Sequence, residues 1–284
     1  MTGPSIAVLR AFSKVAGTLP TGVGQAAAVR RLSNHVNFAP GTHEEQRFAG
    51  GGAFSLDLSD RLQRDAFLLR RYEPDVVAFM AQRLAPSGVF LDVGANAGLI
   101  TFSVGARCGP GVAIHAFEPQ PSNIAAWRRN RQLNPDVNAV LIESAVGRDG
   151  GELAFASGPP GESGWGYVLD SPSPSADTVI NVASVAIDDY ATQEGLAFID
   201  LMKVDVEGYE YFVLQGCATL LESGRIGCLV CEINDCLPSR SGISGDELIT
   251  WLGSFGYLPH AIPPTGARRI RAKHRAEENF AFWR

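Results

Sequence analysis

The stretch that most constrains this chain is Val89-Phe90-Leu91-Asp92-Val93-Gly94-Ala95-Asn96-Ala97-Gly98-Leu99-Ile100-Thr101-Phe102. An apolar run bounded by Ser87-Gly88 and then broken by spaced glycines predicts a buried strand, a tight turn and a helix. Gly94 and Gly98 lack a Cβ, so the backbone can turn sharply there and come close to a ligand. The first turn of the following helix presents unpaired N–H groups, and together these make a cradle suited to a nucleotide.

The spacing narrows the ligand. A dinucleotide fingerprint, G-x-G-x-x-G, needs a third glycine where helix and strand pack, whereas here the pattern is Asp92-x-Gly94-x-Asn96-x-Gly98. A pyrophosphate reader is therefore disfavoured. An acidic residue near the strand end suits a cation, and Asp92 is placed to face the amino group of an amino-acid tail. S-adenosylmethionine (SAM) has such a tail and a sulfonium, and no phosphate. The same residues also fit an ordinary strand-to-helix turn with Asn96 left-handed.

The chain has 284 residues, enough for one large α/β domain or two small ones, and its 45% hydrophobic and 19% charged residues describe a globular protein. A net charge of −6 gives no general attraction for nucleic acid or anionic membrane, so neither is expected as a partner. No apolar run reaches membrane-spanning length. Arg10 and Lys14 among Ile6, Val8, Leu9, Phe12 and Val15 read as an amphipathic helix rather than a secretory signal, which predicts a cytoplasmic protein. Five cysteines do not form a disulfide framework in a chain this long. Cys228 and Cys231 lie three apart on a strand-like run and face opposite sides, so with Cys236 they are expected as buried thiols rather than metal ligands.

Residues 1–70 read as an amino-terminal cap of helical and extended pieces, with helical fragments at Ile6–Val15 and Gln25–Leu32 and a strand at Phe54–Leu58; residues 71–284 form the main domain. After a helix over Asp75–Leu84 and the glycine turn come a helix to Cys108, a strand Val112–Phe117 ending at Glu118, and a helix Ile124–Leu133. Glu118, at the edge of the second strand, is placed to accept hydrogen bonds from a ribose diol. Arg128, Arg129 and Arg131 are expected on a solvated face. A third strand, Ala139–Ile142, leads to Ser144 and Ala145, which would flank an adenine ring. The Gly/Pro/Ser-rich loop 157–177, with Trp165 and Tyr167, is a candidate substrate lid or a surface loop. Val182–Ile187 reads as a further strand. The stretch Phe198–Glu210 reads as a buried strand whose carboxyl end carries Lys203, Asp205 and Glu207, followed by a helix to about Leu221. Gly227–Ile233 is a strand carrying Glu232, Asp246–Leu252 is helical, and Tyr257–Ile262 and Phe280–Trp283 supply the last two strands. The basic run Arg268–Arg275 is expected as a solvated hairpin.

With the glycine turn, Phe117-Glu118-Pro119-Gln120-Pro121, Ala145-Val146-Gly147 and Lys203-Val204-Asp205-Val206-Glu207-Gly208 in order, the sequence resembles the FkbM family of SAM-dependent methyltransferases from about Tyr72 to about Asn234. The resemblance implies a class I methyltransferase fold, Rossmann-like. Its sheet would be seven-stranded and mostly parallel, with helices on both faces and the last strand antiparallel. It implies SAM as cofactor and methylation of a hydroxyl on a sugar, glycan or polyketide-type natural product. The family's cofactor motif falls on Asp92, Gly94, Asn96 and Gly98, its ribose acid on Glu118, and its Lys-x-Asp-x-Glu-Gly motif on Lys203, Asp205, Glu207 and Gly208.

Asp205 or Glu207 is expected to take the acceptor's proton, with Lys203 holding the geometry and Glu232 orienting the acceptor. The rival is Mg²⁺ held by Asp205, Glu207 and Glu232. N-methylation of a small molecule, or service as a non-catalytic nucleotide-binding subunit, would also fit these residues. The oligomeric state stays open, with a homodimer admitted.

Overall fold

The computed structural model describes residues 6–18, 29, 31, 33, 36, 38–169, 179–234, 242–262, 268–269 and 277–284. The amino-terminal part holds α1 (Ile6–Thr18), the hairpin β1 (His43–Arg47) and β2 (Ala53–Asp57), and α2 (Arg61–Leu69). Then follow α3 (Pro74–Arg83), β3 (Val89–Val93), α4 (Leu99–Cys108), β4 (Ala113–Phe117), α5 (Pro121–Leu133) and β5 (Ala139–Ile142). The middle of the chain supplies β6 (Ala145–Val146), β7 (Gly151–Ala156), a 3₁₀ turn (Ser163–Trp165), β8 (Tyr167–Leu169), β9 (Val179–Val185) and α6 (Ile187–Gln193). The last part contains β10 (Ile199–Val204), α7 (Glu210–Gln215), α8 (Ala218–Glu222), β11 (Ile226–Asn234), α9 (Gly245–Ser254), β12 (Leu258–Ala261), β13 (Arg268–Arg269) and β14 (Glu277–Trp283).

The main sheet runs β13-β12-β14-β11-β10-β3-β4-β5. Strands β11, β10, β3, β4 and β5 are parallel, and β14 lies antiparallel between β11 and β12. The expected seven-stranded sheet with an antiparallel last strand is therefore present, with an eighth, two-residue strand added at the β12 edge. The chain moves outward from β3 through β4 to β5 and then returns to start again at β10. That reversal opens a crevice at the carboxyl ends of β3 and β10, the place where open α/β sheets hold ligands.

Alternating side chains on the parallel strands feed two cores. Phe90 and Leu201 point into one, with Phe54, Leu56, Leu58 and Phe102; Leu91, Val93, Met202 and Val204 point into the other. Burying each such residue is worth about 1.5–3 kcal/mol. The hairpin and α2 thus share a core with the sheet.

Three elements depart from the expectations raised by the sequence. The strand expected over Val182–Ile187 is β9; it ends at Val185 and belongs to a separate four-stranded sheet, β6-β9-β7-β8, while Ile187 opens α6. The helix expected to run to Leu221 breaks into α7 and α8, because Asp188 from α6 donates its N–H to the Gly216 carbonyl and accepts the Thr219 and Leu220 N–H groups at 2.9 and 3.0 Å. The loop 157–177 carries the 3₁₀ turn and β8 in its described part; 170–177 lie outside the described residues. So do Cys236, most of Gln25–Leu32, and the basic run beyond Arg269. Cys228 and Cys231 are buried free thiols. Arg128, exposed on α5, pairs with Glu143.

Candidate active site

The crevice is a cavity of about 1060 Å³. Its walls include Gly94, Asn96, Glu118, Ser144, Ala145, Lys203, Asp205, Glu207 and Glu232, so nine of the eleven residues singled out from the sequence meet there. Asp92 and Gly98 do not, and each has a physical reason.

Asp92 is only 1% exposed and accepts the Thr101 hydroxyl at 2.5 Å. In the sheet it stands directly opposite Lys203. Burial raises its pKa, and Lys203 and Thr101 oppose the rise. Asp92 thus sits inside the sheet rather than on the cavity lining. Gly98, at φ +81°, faces the packed rings of Phe102 and Trp127, which a Cβ would meet at 2.6–2.8 Å. Its smallness serves helix packing.

Gly94 matters through a third partner. At φ +83°, its Cβ would stand 1.9 Å from the Asp205 carbonyl oxygen, so the absent side chain lets the β10 end close on the turn. Gly94→Ala should cost about 2–4 kcal/mol, combining left-handed strain with backbone overpacking. Denaturant titration of the variant beside the wild type measures this; a loss under about 1 kcal/mol would contradict the packing argument.

Next to the glycine turn, Glu118 is 4% exposed. Its Oε2 accepts the Asn96 N–H at 2.8 Å, and its Oε1 accepts the Gln120 N–H at 2.8 Å and, more weakly, the Asn123 amide at 3.4 Å. Burial raises its pKa to about 7 against these three donors.

At the end of β10, beside the glycine turn, Lys203, 2% exposed, donates to Asp205 Oδ2 at 2.6 Å. Burial would lower the lysine's pKa, but Asp205, Glu73 and Asp92 outweigh it and hold the ammonium charged. Burial would likewise raise Asp205, but Lys203 and the hydrogen bond from Glu232 hold it below the usual carboxylate range. The charge on Asp205, together with burial, pushes Glu232 up to about 12. Because Lys203 bonds Asp205 directly, the pair holds its charge on the Asp205 side and its proton on the Glu232 side.

Sequence reasoning missed Tyr72 and Glu73, which line the same cavity. The Tyr72 phenol is held well above its ordinary pKa by burial and by Glu73, Asp205, Glu232 and Glu207. Among the described residues four non-glycine positions hold positive φ, and three of them, Glu73 (38°), Asn96 (50°) and Glu207 (55°), line the cavity. Such strain persists where surrounding structure enforces it, which is common at functional sites. Pro74 opens α3 directly after Tyr72 and Glu73, but no motif in the sequence marks the pair itself. Among the described residues no three His, Cys, Asp or Glu side chains are grouped so as to hold a metal ion, and no helix is long and apolar enough to cross a membrane.

The profile of the methyltransferase FkbM domain matches residues 92–259. The chain is 29% identical over 178 residues to the 31-O-demethyl-FK506 methyltransferase FkbM of Streptomyces tacrolimicus, covering 54% of this chain and 67% of that one. It is 24% identical over 164 residues to the hexuronic acid methyltransferase AglP of Haloferax volcanii, covering 58% and 63%. The match thus spans about two thirds of these curated relatives. A solved SAM-dependent methyltransferase from Agrobacterium tumefaciens shares 10% identity and a TM-score of 0.48 over 87% of this chain and 71% of that one, a likeness too slight to argue from.

Proposed function

The chain belongs to the FkbM methyltransferase family, and from that premise we propose that it transfers a methyl group from SAM to a hydroxyl of a sugar, glycan or polyketide-type natural product. The observation that carries this reading is one cavity lined both by the glycine turn with Glu118 and by the Lys203–Asp205–Glu232 cluster. A volume of about 1060 Å³ has room for a nucleoside and a second molecule.

The residues present fit SAM. Glu118, buried and fixed by backbone donors, is suited to accept ribose hydroxyls; Ser144 and Ala145 would flank the adenine. Bound there, SAM supplies an activated methyl group. The protein's part is to hold the acceptor oxygen in line, an orientation effect worth up to about 7–11 kcal/mol in favourable cases, and to receive the oxygen's proton.

Asp205 is ionised at neutral pH and faces the cavity, so we assign it that proton. A carboxylate of low pKa suffices, because the acceptor hydroxyl becomes strongly acidic only as its oxygen gains the methyl group. Lys203 keeps Asp205 charged. Glu232, already protonated, orients Asp205, and Glu207 remains a second candidate for contact with the acceptor.

Mg²⁺ at this cluster is less well supported. A divalent cation at Asp205 would stand beside the Lys203 ammonium and would have to displace the Glu232 proton. Calorimetric titration with SAM, S-adenosylhomocysteine and NAD, followed by a panel of hydroxylated acceptors with and without EDTA, tests the reading. Binding of the first two without NAD, and turnover indifferent to EDTA, are expected; binding of NAD alone would overturn it.

A pH dependence follows from Glu118. Its raised pKa leaves more of the carboxyl protonated as pH falls through about 7, and a protonated carboxyl accepts less well from ribose hydroxyls. SAM affinity should therefore fall below pH 7, by at most about tenfold per unit. Glu118→Gln should bind weakly with a flat profile; a wild-type affinity constant from pH 8 to pH 5.5 would contradict the assignment.

A further inference from the structure

Between the cofactor wall and the amino-terminal layer lies a set of hydrogen bonds that the proposed chemistry does not use. The Ser163 carbonyl, in the 3₁₀ turn, accepts from the Asn96 side-chain amide and from the Asn123 amide, both at 3.2 Å. Each of these asparagines also binds Glu118: Asn96 through its backbone N–H at 2.8 Å, Asn123 through its side chain at 3.4 Å. On its other side, the Ser163 N–H donates to Asp60 Oδ2 at 2.7 Å. The second oxygen of Asp60 accepts the Gln63 N–H at 2.9 Å and so caps α2.

Asp60 and Asn123 are buried, 5% and 4% exposed, while Asn96 and Ser163 are half-buried at the cavity wall. Ser163 is therefore held through both of its backbone groups, by way of the two asparagines to Glu118 and by way of Asp60 to a helix lying outside the segment that matches the family profile.

We propose that Asp60 and Asn123 are positioning residues, joined through the Ser163 turn, which link occupancy of Glu118 to the ordering of α2 over the cavity. The proposal rests on the reading of Glu118 as the ribose acid. Ribose hydroxyls donating to Glu118 hold it as a carboxylate, the form that accepts most strongly from Asn96 and Asn123. Those two amides then hold Ser163, and Ser163 holds Asp60 against the α2 start. Because α2 contributes Leu62, Asp65, Ala66 and Leu69 to the cavity wall, a cofactor seated first would shape the space left for the acceptor.

Linkage makes the effect reciprocal: whatever factor cofactor adds to the turn's order, breaking the turn's anchor must remove from cofactor affinity. The test follows amide hydrogen exchange of the full chain with and without saturating S-adenosylhomocysteine. The ligand should slow exchange at Gln63 and Arg64 by about fivefold or more, within the usual range of such couplings, as well as at 94–98.

Asp60→Ser separates coupling from capping. A serine still caps Gln63, and its one oxygen leaves the Ser163 N–H unmet. This variant should keep α2 folded, lose the α2 response, and bind S-adenosylhomocysteine more weakly by the same factor. Asn123→Ala should lose the response as well. Protection at 94–98 with an unresponsive α2 in the wild type, or an Asp60→Ser protein matching the wild type in both response and affinity, overturns the relay and leaves the cofactor reading standing. Failure of the wild type to bind S-adenosylhomocysteine takes down both.

Discussion

Asp205→Asn is expected to lower turnover about 100- to 10,000-fold, the usual worth of a positioned general base, while leaving SAM affinity within a few fold. Asparagine keeps the size and one acceptor oxygen of Asp205 but cannot take a proton. The partner variant locates the base within the pair. Glu232 is already neutral, its pKa pushed up to about 12 by the adjacent Asp205 charge and by burial, so Glu232→Gln replaces a protonated acid by a near isostere that still donates to Asp205. Turnover of Glu232→Gln should stay within about tenfold of wild type, far less than the loss of a base. The opposite ranking, with Glu232→Gln dead and Asp205→Asn active, would put the proton on the other carboxyl and reverse the assignment. Both variants need a steady-state assay of S-adenosylhomocysteine release, with cofactor affinity measured separately so that lost binding is not mistaken for lost chemistry.

The same cluster shows what a sequence discloses and what it withholds. Parallel strands buried on both faces announce themselves as short apolar runs closed by glycine or a carboxylate, and β3, β4, β5, β10 and β11 all stand where such runs occur. Their ends bring Glu118, Asp205, Glu207 and Glu232 to one edge by topology alone. Side-chain roles that depend on cross-strand register are another matter. Nothing in the sequence pairs Asp92 with Lys203, 111 positions later, yet that pairing sets a carboxyl beside a buried lysine inside the sheet. The break between α7 and α8 was hidden for the same reason, its cap being Asp188 of another helix rather than a residue nearby. An alternating strand such as β9 carries no mark of which sheet it joins. Tyr72 and Glu73 belong to none of the motifs and line the cavity from the turn before α3.

Lys203→Met should be the most destabilising single change at this site, at about 3–5 kcal/mol near pH 7.5, because removing one partner of a buried ion pair leaves its counter-charges uncompensated. Methionine fills much of the same space, which isolates the charge from the cavity a smaller residue would leave. Lys203 is 2% exposed, and Asp205, Glu73 and Asp92 all lie within its electrostatic reach. The pH dependence identifies the cause. In the wild type Asp205 is held below its unfolded pKa despite burial, mainly by Lys203, so it contributes stability that is present above the unfolded value and lost as pH falls through the lower folded one. In the variant burial acts unopposed by Lys203, and Asp205 and Asp92 take up protons more readily on folding than in the unfolded chain. The gap between variant and wild type should therefore narrow as pH is lowered from 7.5 towards 5. Denaturant unfolding at those two pH values measures both terms. A loss of similar size at each would assign it to packing, and a loss under about 1 kcal/mol at pH 7.5 would show that the carboxylates are solvated well enough to do without the lysine.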